Sequence, residues 1–169
     1  MSLTYPEVGA TGTGGPLPAG YHHLRHRTCL GDVSLAAAGE AVLGWHMHRA
    51  TGARIEASAP RAAPGVTVSV GLGVGPLRIT GPCEVVWSVE EADRAGFGYG
   101  TLRGHPERGE EAFVVERDAQ RRVWFTVTAF SRPAVWYTRA GGPVVVLFQH
   151  AYARRLGAVL RRLCGSAPA

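Results

Sequence analysis

The chain has 169 residues, 46% of them hydrophobic, which suits a single domain (1–169) that buries about 70% of the surface exposed by its unfolded form. Its formal charge of +5 is the difference between 18 basic residues, all of them arginine, and 13 acidic ones. The arginines do not form a cluster, so we expect no nucleic-acid partner. Three widely spaced cysteines, Cys29, Cys83 and Cys164, indicate neither a disulfide framework nor a zinc site. With no leader-like start and no bilayer-length apolar run, we expect a soluble, cytoplasmic protein without a membrane span.

Residues 1–20 hold five glycines and three prolines among small side chains, a composition that favours an irregular arm. Tyr5 is the one large anchor in this arm. Two interpretations stay open: the arm folds over a pocket, or it only packs on the surface. The body of the domain is expected to run from residue 21 to residue 164.

The body begins with Tyr21 to Thr28, whose alternation predicts a strand. His22 and His26 share a face of that strand but lie roughly 13 Å apart at ~3.3 Å per residue. This separation is too long for one ion, so we expect no metal and no other cofactor. His46 and His48, farther along, are interpreted as histidines at the edge of the core rather than as ligands.

A helix is predicted after the first strand. Asp32 or Ser34 can cap its start and Gly52 supplies its stop, with apolar residues at helical spacing between them. Gly39 and Gly44 lower the stability of this helix by up to ~1 kcal/mol each relative to alanine. Close packing, a kink and a split into two short helices all stay open.

From Ala53 onward the period changes to two, which predicts a series of strands. They cover residues 54–57, 66–74, 77–90, 95–101, 111–115 and 122–130. Glycines on these strands are interpreted as making room for a ligand. Gly141-Gly142-Pro143 then breaks the chain and places proline in the first turn of a long helix that reaches Leu163.

The stretch from Ala95 to Phe113 reads as a hairpin with an exposed polar loop, RGHPERG, between its strands. His105, Glu107, Glu110 and Glu111 lie within this stretch. A histidine near carboxylates can act as a general base or, with them, hold a metal. The alternative is a solvated loop whose glutamates pair with neighbouring arginines.

Four segments carry a family resemblance: PAGYHHLRHRTCLG at 18–31, GFGYGTLRGHPERGEEAF at 96–113, SRP at 131–133 and GPVVVLFQ at 142–149. Together they resemble DUF1990, also called UPF0548, over nearly the whole chain. The family usually has a proline where this chain has Arg103, a change that alters the rigidity of the turn more than the topology. The family has no settled activity, so the resemblance implies little about function.

The order of elements, with one strand, one helix, about six strands and a long helix, predicts the α+β class. We expect a curved antiparallel sheet of about seven strands with the C-terminal helix packed on it. This architecture is similar to the helix-grip arrangement of the START and Bet v 1-like superfamily.

Such a sheet and helix favour a pocket between them for a small apolar or amphipathic ligand, and a solid core is the alternative. The predicted ligand-binding residues are Tyr5, Phe97, Tyr99, Thr101, Trp124, Ser131, Arg132, Phe148 and Gln149. A second hypothesis is a hydrolase- or cyclase-like enzyme that uses the cluster of His105, Glu107, Glu110 and Glu111, with His105, Glu107 and Glu111 as the catalytic candidates. A third is a protein-interaction module that binds through exposed arginines.

Overall fold

The computed structural model describes residues 2–73 and 79–165, apart from the side chains of 136–141. Two predicted strand ends, at Val74 and Leu77, and residues 166–169 lie outside the described residues. The described elements, in chain order, are a 3-10 turn (Ala10–Gly12), β1 (His22–Gly31), α1 (Leu35–Leu43), α2 (His46–Ala50), β2 (Arg54–Ala57), β3 (Thr67–Leu72), β4 (Ile79–Glu90), β5 (Arg94–Thr101), β6 (Glu107–Arg117), β7 (Val123–Pro133) and α3 (Trp136–Gly165).

The strands form one antiparallel sheet in the order β1-β7-β6-β5-β4-β3-β2. Helices α1 and α3 contact its inner face, while the N-terminal arm, with its 3-10 turn, contacts β5, β6 and β7 from the other side. The predicted architecture, a seven-stranded antiparallel sheet with a long C-terminal helix packed on it, is therefore confirmed.

The helical segment after β1 divides in two at Gly44 and Trp45. Ser34 caps α1, because its hydroxyl accepts a 3.3 Å hydrogen bond from the backbone N–H of Ala37. Trp45 adopts a left-handed conformation with φ of 64°, which ends α1 and starts α2 in a new direction. The fully buried Trp45 ring then packs 4.9 Å from the ring of Phe97 on β5.

The C-terminal helix begins at Trp136, earlier than the sequence pattern predicts. Its backbone departs from helical geometry at Gly142, where φ is 19° and ψ is −100°. Glycine tolerates this backbone conformation. The kink places Pro143 in the first turn of the second helical segment, where a backbone N–H would have no partner within the helix, so proline loses no hydrogen bond there. Farther along, α3 approaches β1 so closely that a Cβ on Gly157 would lie 2.9 Å from the Cβ of Thr28.

The hydrophobic core fills one end of the space between the sheet and the helices. Its largest fully buried side chains are Trp45, Met47, Phe97, Phe113, Phe125, Leu156 and Leu160. No described helix has both the length and the apolar character needed to cross a bilayer.

The N-terminal arm covers part of the outer face of the sheet, over β5, β6 and β7. An added Cβ on Gly100 would collide with the hydroxyl of Tyr5 and lie 2.7 Å from its Cε1 atom. Likewise, a Cβ on Gly98 would lie 2.6 Å from Cε2 of Trp87, which a register shift between Val85 and Trp87 places on this face. These two glycines make room for the arm and for Trp87, not for a ligand as their pattern had indicated.

Candidate functional site

A cavity of about 560 Å³ lies between the inner face of the sheet and α3, at the end that the core does not fill. Its apolar walls are formed by Leu24, Val70, Leu72, Ile79, Ala129, Val144, Val145 and Phe148. Three of these residues are largely exposed, with Ile79 at 54%, Val144 at 71% and Phe148 at 53%, so the cavity opens to solvent between β4 and α3.

Glu111 presents a carboxylate to this cavity beside Tyr99. The register of β5 and β6 pairs these two residues, and the Tyr99 hydroxyl donates a 3.1 Å hydrogen bond to Glu111 Oε2. Burial raises the pKa of Glu111 to about 7, the hydrogen bond from Tyr99 opposes that shift, and the nearby charge of Glu107 adds to it. Glu111 is therefore an acid whose charge changes near neutral pH.

A second polar group links α3 to the sheet at the same cavity. The side-chain amide of Gln149 donates to Glu107 Oε2 at 2.7 Å and lies 3.2 Å from the Ser131 hydroxyl. Glu107 opens β6, so the predicted polar loop is shorter than its sequence indicates and this glutamate faces the cavity rather than bulk solvent. Among the described residues, Glu107 accepts its side-chain hydrogen bond from Gln149 and not from one of the neighbouring arginines.

His105 folds back over β4. Its Nδ1 accepts a 3.0 Å hydrogen bond from the backbone N–H of Glu107, and a Cβ on Gly81 would collide with its ring. Burial lowers the pKa of His105 to about 4, so the imidazole is neutral at physiological pH. The glycine at position 81 thus makes room for this ring at the cavity wall.

Glu110 borders the cavity, but its carboxylate lies on the outer face of the sheet, beneath the arm. Glu110 is 2% exposed, and its carboxylate accepts hydrogen bonds from Tyr5 Oη at 2.7 Å, Gly9 N at 2.7 Å and Thr11 N at 2.9 Å, and from the Thr11 hydroxyl. Trp87 Nε1 lies 3.4 Å from the same carboxylate. The predicted cluster of one histidine and three glutamates is therefore divided between the two faces, because successive side chains on a strand point in opposite directions.

The remaining predicted ligand residues fall into two groups. Tyr99, Thr101, Ser131, Phe148 and Gln149 line the cavity. Thr101 Oγ1 also accepts a 3.0 Å hydrogen bond from the N–H of Gly109, which holds the end of β5 against β6.

Tyr5, Phe97, Trp124 and Arg132 lie outside the cavity lining. Phe97 is fully buried in the core. On the outer face, Trp124 carries the guanidinium of Arg27 4.2 Å from its ring centre, and Arg132 lies 5.0 Å from the ring centre of Tyr21. Alternation separates two faces of a strand but does not reveal which face is the inner one, and this ambiguity misplaced Trp124 and Arg132. Tyr5 belongs to the arm, which packs on the outer face and not over the cavity.

Tyr152 lines the cavity and was not predicted as a site residue. Its ring stacks on Phe148 at 6.3 Å between ring centres, and its hydroxyl lies 3.5 Å from the Thr51 hydroxyl. Burial raises the pKa of Tyr152 to about 12. Its spacing of four residues from Phe148 would have indicated it, because such residues share one face of a helix.

His48 departs from its interpretation as an edge-of-core histidine, and His22 takes a position that the sequence did not assign. His48 is fully buried in the core, not at its edge, and neither ring nitrogen has a hydrogen-bond partner among the described residues. His22 lines the exposed side of the cavity. Within residues 2–73 and 79–165, no three histidine, cysteine, aspartate or glutamate side chains are grouped so as to hold a metal ion.

Solved structures share this fold at low sequence identity. A hypothetical protein from Helicobacter pylori matches with a TM-score of 0.68 and 9% identity over 99% of this chain and 97% of its own. Truncated norcoclaurine synthase from Thalictrum flavum matches with a TM-score of 0.63 and 8% identity, over 91% and 99% of the two chains. The Bet v 1-like protein Ara h 8.0201 matches with a TM-score of 0.54 and 12% identity, over 83% and 98%.

Sequence relatives point to one family. A UPF0548 protein from Deinococcus radiodurans is 49% identical over 81 residues, which are 48% of this chain and 41% of that protein. A UPF0548 protein from Arabidopsis thaliana is 39% identical over 93 residues, 50% of this chain and 45% of that protein. The chain thus spans less than half the length of these curated relatives. The family model named DUF1990, a domain of unknown function, matches residues 4–159. The chain therefore belongs to the DUF1990 family, also named UPF0548, and has a Bet v 1-like helix-grip fold.

Proposed function

We propose that this protein binds a small, largely apolar molecule in the cavity between the sheet and α3. The observation that carries the proposal is the cavity itself, whose volume of about 560 Å³ falls within the usual range for ligand pockets. Apolar side chains form most of its lining, and its mouth between β4 and α3 gives a ligand a way in.

A few polar groups add orientation to this apolar site. The pair formed by Tyr99 and Glu111 and the bridge from Gln149 to Glu107 both face the cavity. Apolar walls with a small number of placed polar groups are typical of sites that bind one molecule in one pose. Both pairs join separate elements, so the polar groups are held in place before a ligand arrives.

Binding is tested with the neutral fluorescent dye N-phenyl-1-naphthylamine, together with native mass spectrometry for any co-purified molecule. Ala129→Trp fills the cavity from β7, and we expect it to weaken dye binding at least tenfold. Thr128→Trp is the matched control, because residue 128 points to the outer face of the same strand. Equal dye binding by all three proteins, or no dye binding and no co-purified molecule, would contradict the proposal.

A second candidate function is proton-transfer catalysis of the hydrolase or cyclase type. It is favoured by Glu111, whose pKa of about 7 and contact with Tyr99 are those of a general acid–base group in a largely apolar site. His105 is a weaker candidate, since its Nδ1 is occupied by the backbone of Glu107 and its ring packs on Gly81.

Once a bound molecule is identified, its turnover is compared in the natural protein, Glu111→Gln and His105→Ala. An enzyme that uses Glu111 loses turnover in Glu111→Gln at unchanged dye affinity. Unchanged turnover in both variants would mean that Glu111 and His105 have a structural role and no catalytic one.

A further inference from the structure

The cavity has an acidic character. Among the described residues that line it, Glu107 and Glu111 direct carboxylates into it, and none is an arginine. The chain has no lysine at all. Of the two lining histidines, His105 is neutral because burial lowers its pKa, and His22 lies on the exposed side.

Glu111 also has unused capacity to accept hydrogen bonds. The Tyr99 hydroxyl is the one donor that the described part of the chain provides to it. A carboxylate can accept about four hydrogen bonds, so most of its acceptor positions face the cavity. A half-buried carboxylate with one protein donor is less well stabilised than one in water, and a ligand that supplies charge and donors offsets that deficit.

We propose that the preferred ligand is a protonated amine on an apolar body, with its ammonium group bound by Glu111. This inference rests on the proposed function and names the ligand class of the same cavity. An ammonium group brings a positive charge and up to three N–H donors, which match the vacant acceptor positions of Glu111. The apolar body lies against Leu24, Val70 and Ala129, which line the same cavity.

Aromatic rings strengthen the preference for a cation. Tyr99 and Tyr152 both line the cavity, where burial raises the pKa of each hydroxyl and the nearby charge of Glu111 adds to the shift. The face of an aromatic ring attracts a cation, most strongly where water is excluded. A cation beside Glu111 therefore gains from the carboxylate, and it gains further where it also lies over the face of one of these rings.

The same groups disfavour other ligand classes. A carboxylate ligand meets like charge from Glu107 and Glu111 without a cationic side chain among the described lining residues, which raises the cost of burying it. A neutral alcohol supplies one donor and no charge. Selection among ligands of equal size is thus expected to follow their charge.

Affinity is measured by displacement of N-phenyl-1-naphthylamine with three ligands of matched size: 4-phenylbutylamine, 4-phenylbutanol and 4-phenylbutanoate. At pH 7.5 we expect the amine to bind about 10- to 100-fold more tightly than the alcohol, and the carboxylate to bind most weakly. In Glu111→Gln we expect the amine to lose this advantage and to bind no more tightly than the alcohol binds to the same variant.

Two further variants isolate the effect of Glu111. Glu116→Gln makes the same change on the outer face of β6, where Glu116 pairs with Arg27, and should leave all three affinities unchanged. Glu107→Gln should weaken the amine less than Glu111→Gln does, because Glu107 already accepts from Gln149. Dye binding that persists in each variant shows that its cavity is folded.

Proton release supplies a second readout. At pH 6 the carboxyl of Glu111 is mostly protonated, since its pKa is about 7, and a bound ammonium favours the charged form. Calorimetry of the amine in two buffers with different ionisation enthalpies should therefore detect release of close to one proton at pH 6 and almost none at pH 8.5, and Glu111→Gln should abolish that release.

The outcomes separate this inference from the proposed function. Equal affinity for the three ligands, or tightest binding of the carboxylate, overturns the amine preference and leaves the cavity as a binding site. An amine advantage that persists in Glu111→Gln also overturns it, because the cation is then bound elsewhere. If neither the dye nor any of the three ligands binds, both the inference and the proposed function fail.

Discussion

The Tyr5 hydroxyl donates a 2.7 Å hydrogen bond to the carboxylate of Glu110, which follows it by 105 residues in the chain. Gly9 and Thr11 donate to the same carboxylate through their backbone N–H groups. One buried glutamate thus accepts hydrogen bonds from residues 5 to 11 of the arm and holds this part of it on the outer face of the sheet. Charge-assisted hydrogen bonds of this kind are stronger than neutral ones, particularly when they are buried.

We expect Glu110→Gln to lower the free energy of unfolding by about 2 kcal/mol, because an amide replaces one acceptor oxygen with a donor that faces donors. Urea unfolding measures the loss, and limited proteolysis should cut first within the arm. Glu116→Gln, at a half-buried position on the outer face of the same strand, is expected to change stability by less than about 0.5 kcal/mol, since its ion pair with Arg27 lies at the surface. Similar unfolding midpoints for the two variants would mean that Glu110 does not anchor the arm.

Gly100→Ala tests the close approach of the arm to β5. The added methyl collides with the Tyr5 hydroxyl and lies 2.8 Å from Cδ2 of Leu3, so the arm must move away or β5 must distort. We expect a loss of about 2 kcal/mol and faster cleavage of the arm. Gly15→Ala is the control, since its nearest neighbour would be the Thr13 hydroxyl at 3.5 Å, an ordinary contact. Equal protease resistance of both variants would contradict the packing.

The raised pKa of Glu111 gives stability a defined dependence on pH. The folded state holds this proton up to a pKa of about 7, whereas the unfolded chain releases it near 4.5. Between these values the folded state binds more protons, so the contribution of Glu111 is fully present below pH 4.5 and is lost as pH rises through 7.

Over that interval the loss is on the order of 3 kcal/mol. Glu111→Gln cannot titrate, so it should be more stable than the natural protein at pH 8 by a similar amount. Unfolding midpoints at pH 5, 6, 7 and 8 check this expectation. Parallel curves for the two proteins would show that Glu111 titrates normally.

His48 gives the opposite dependence. Burial lowers its folded-state pKa to about 3, from 6.5 in the unfolded chain, so its contribution is present above pH 6.5 and is lost as pH falls toward 3. His48→Leu replaces a ring without hydrogen-bond partners among the described residues by an apolar side chain.

We expect this variant to be at least as stable as the natural protein at pH 7 and to gain a further ~2 kcal/mol relative to it at pH 5. His46→Leu, on the same helix but exposed, should not change the pH dependence. Thermal unfolding at both pH values makes the comparison. A constant difference between His48→Leu and the natural protein would contradict the buried neutral histidine.

The sequence was sufficient for the architecture and for part of the site. Period-two alternation located the strands, and Gly44 marked a real division between α1 and α2. Tyr99, Thr101 and Glu111 share the cavity face because the register of β5 and β6 follows from their short hairpin.

What failed was the assignment of faces. Both faces of β5 and β6 are covered, one by α1 and the other by the arm. The alternation of hydrophobic residues therefore does not indicate which face of these strands points to the core. The register shift before Trp87 moves this side chain to the arm face, and no local pattern reveals such a shift. Glu110 looked like a member of a catalytic cluster because its donors, Tyr5 and Thr11, are distant in sequence.

Glu110 and Glu111 are neighbours in sequence with separate tasks, since one secures the arm and the other faces the cavity. A mutation at position 111 can therefore alter the chemistry of the cavity while the anchoring of the arm persists, whereas the same change at position 110 endangers folding. Selection can act on the two properties independently, although they are encoded by adjacent codons. A chain built in this way can diversify what its cavity accepts without first having to rebuild its scaffold.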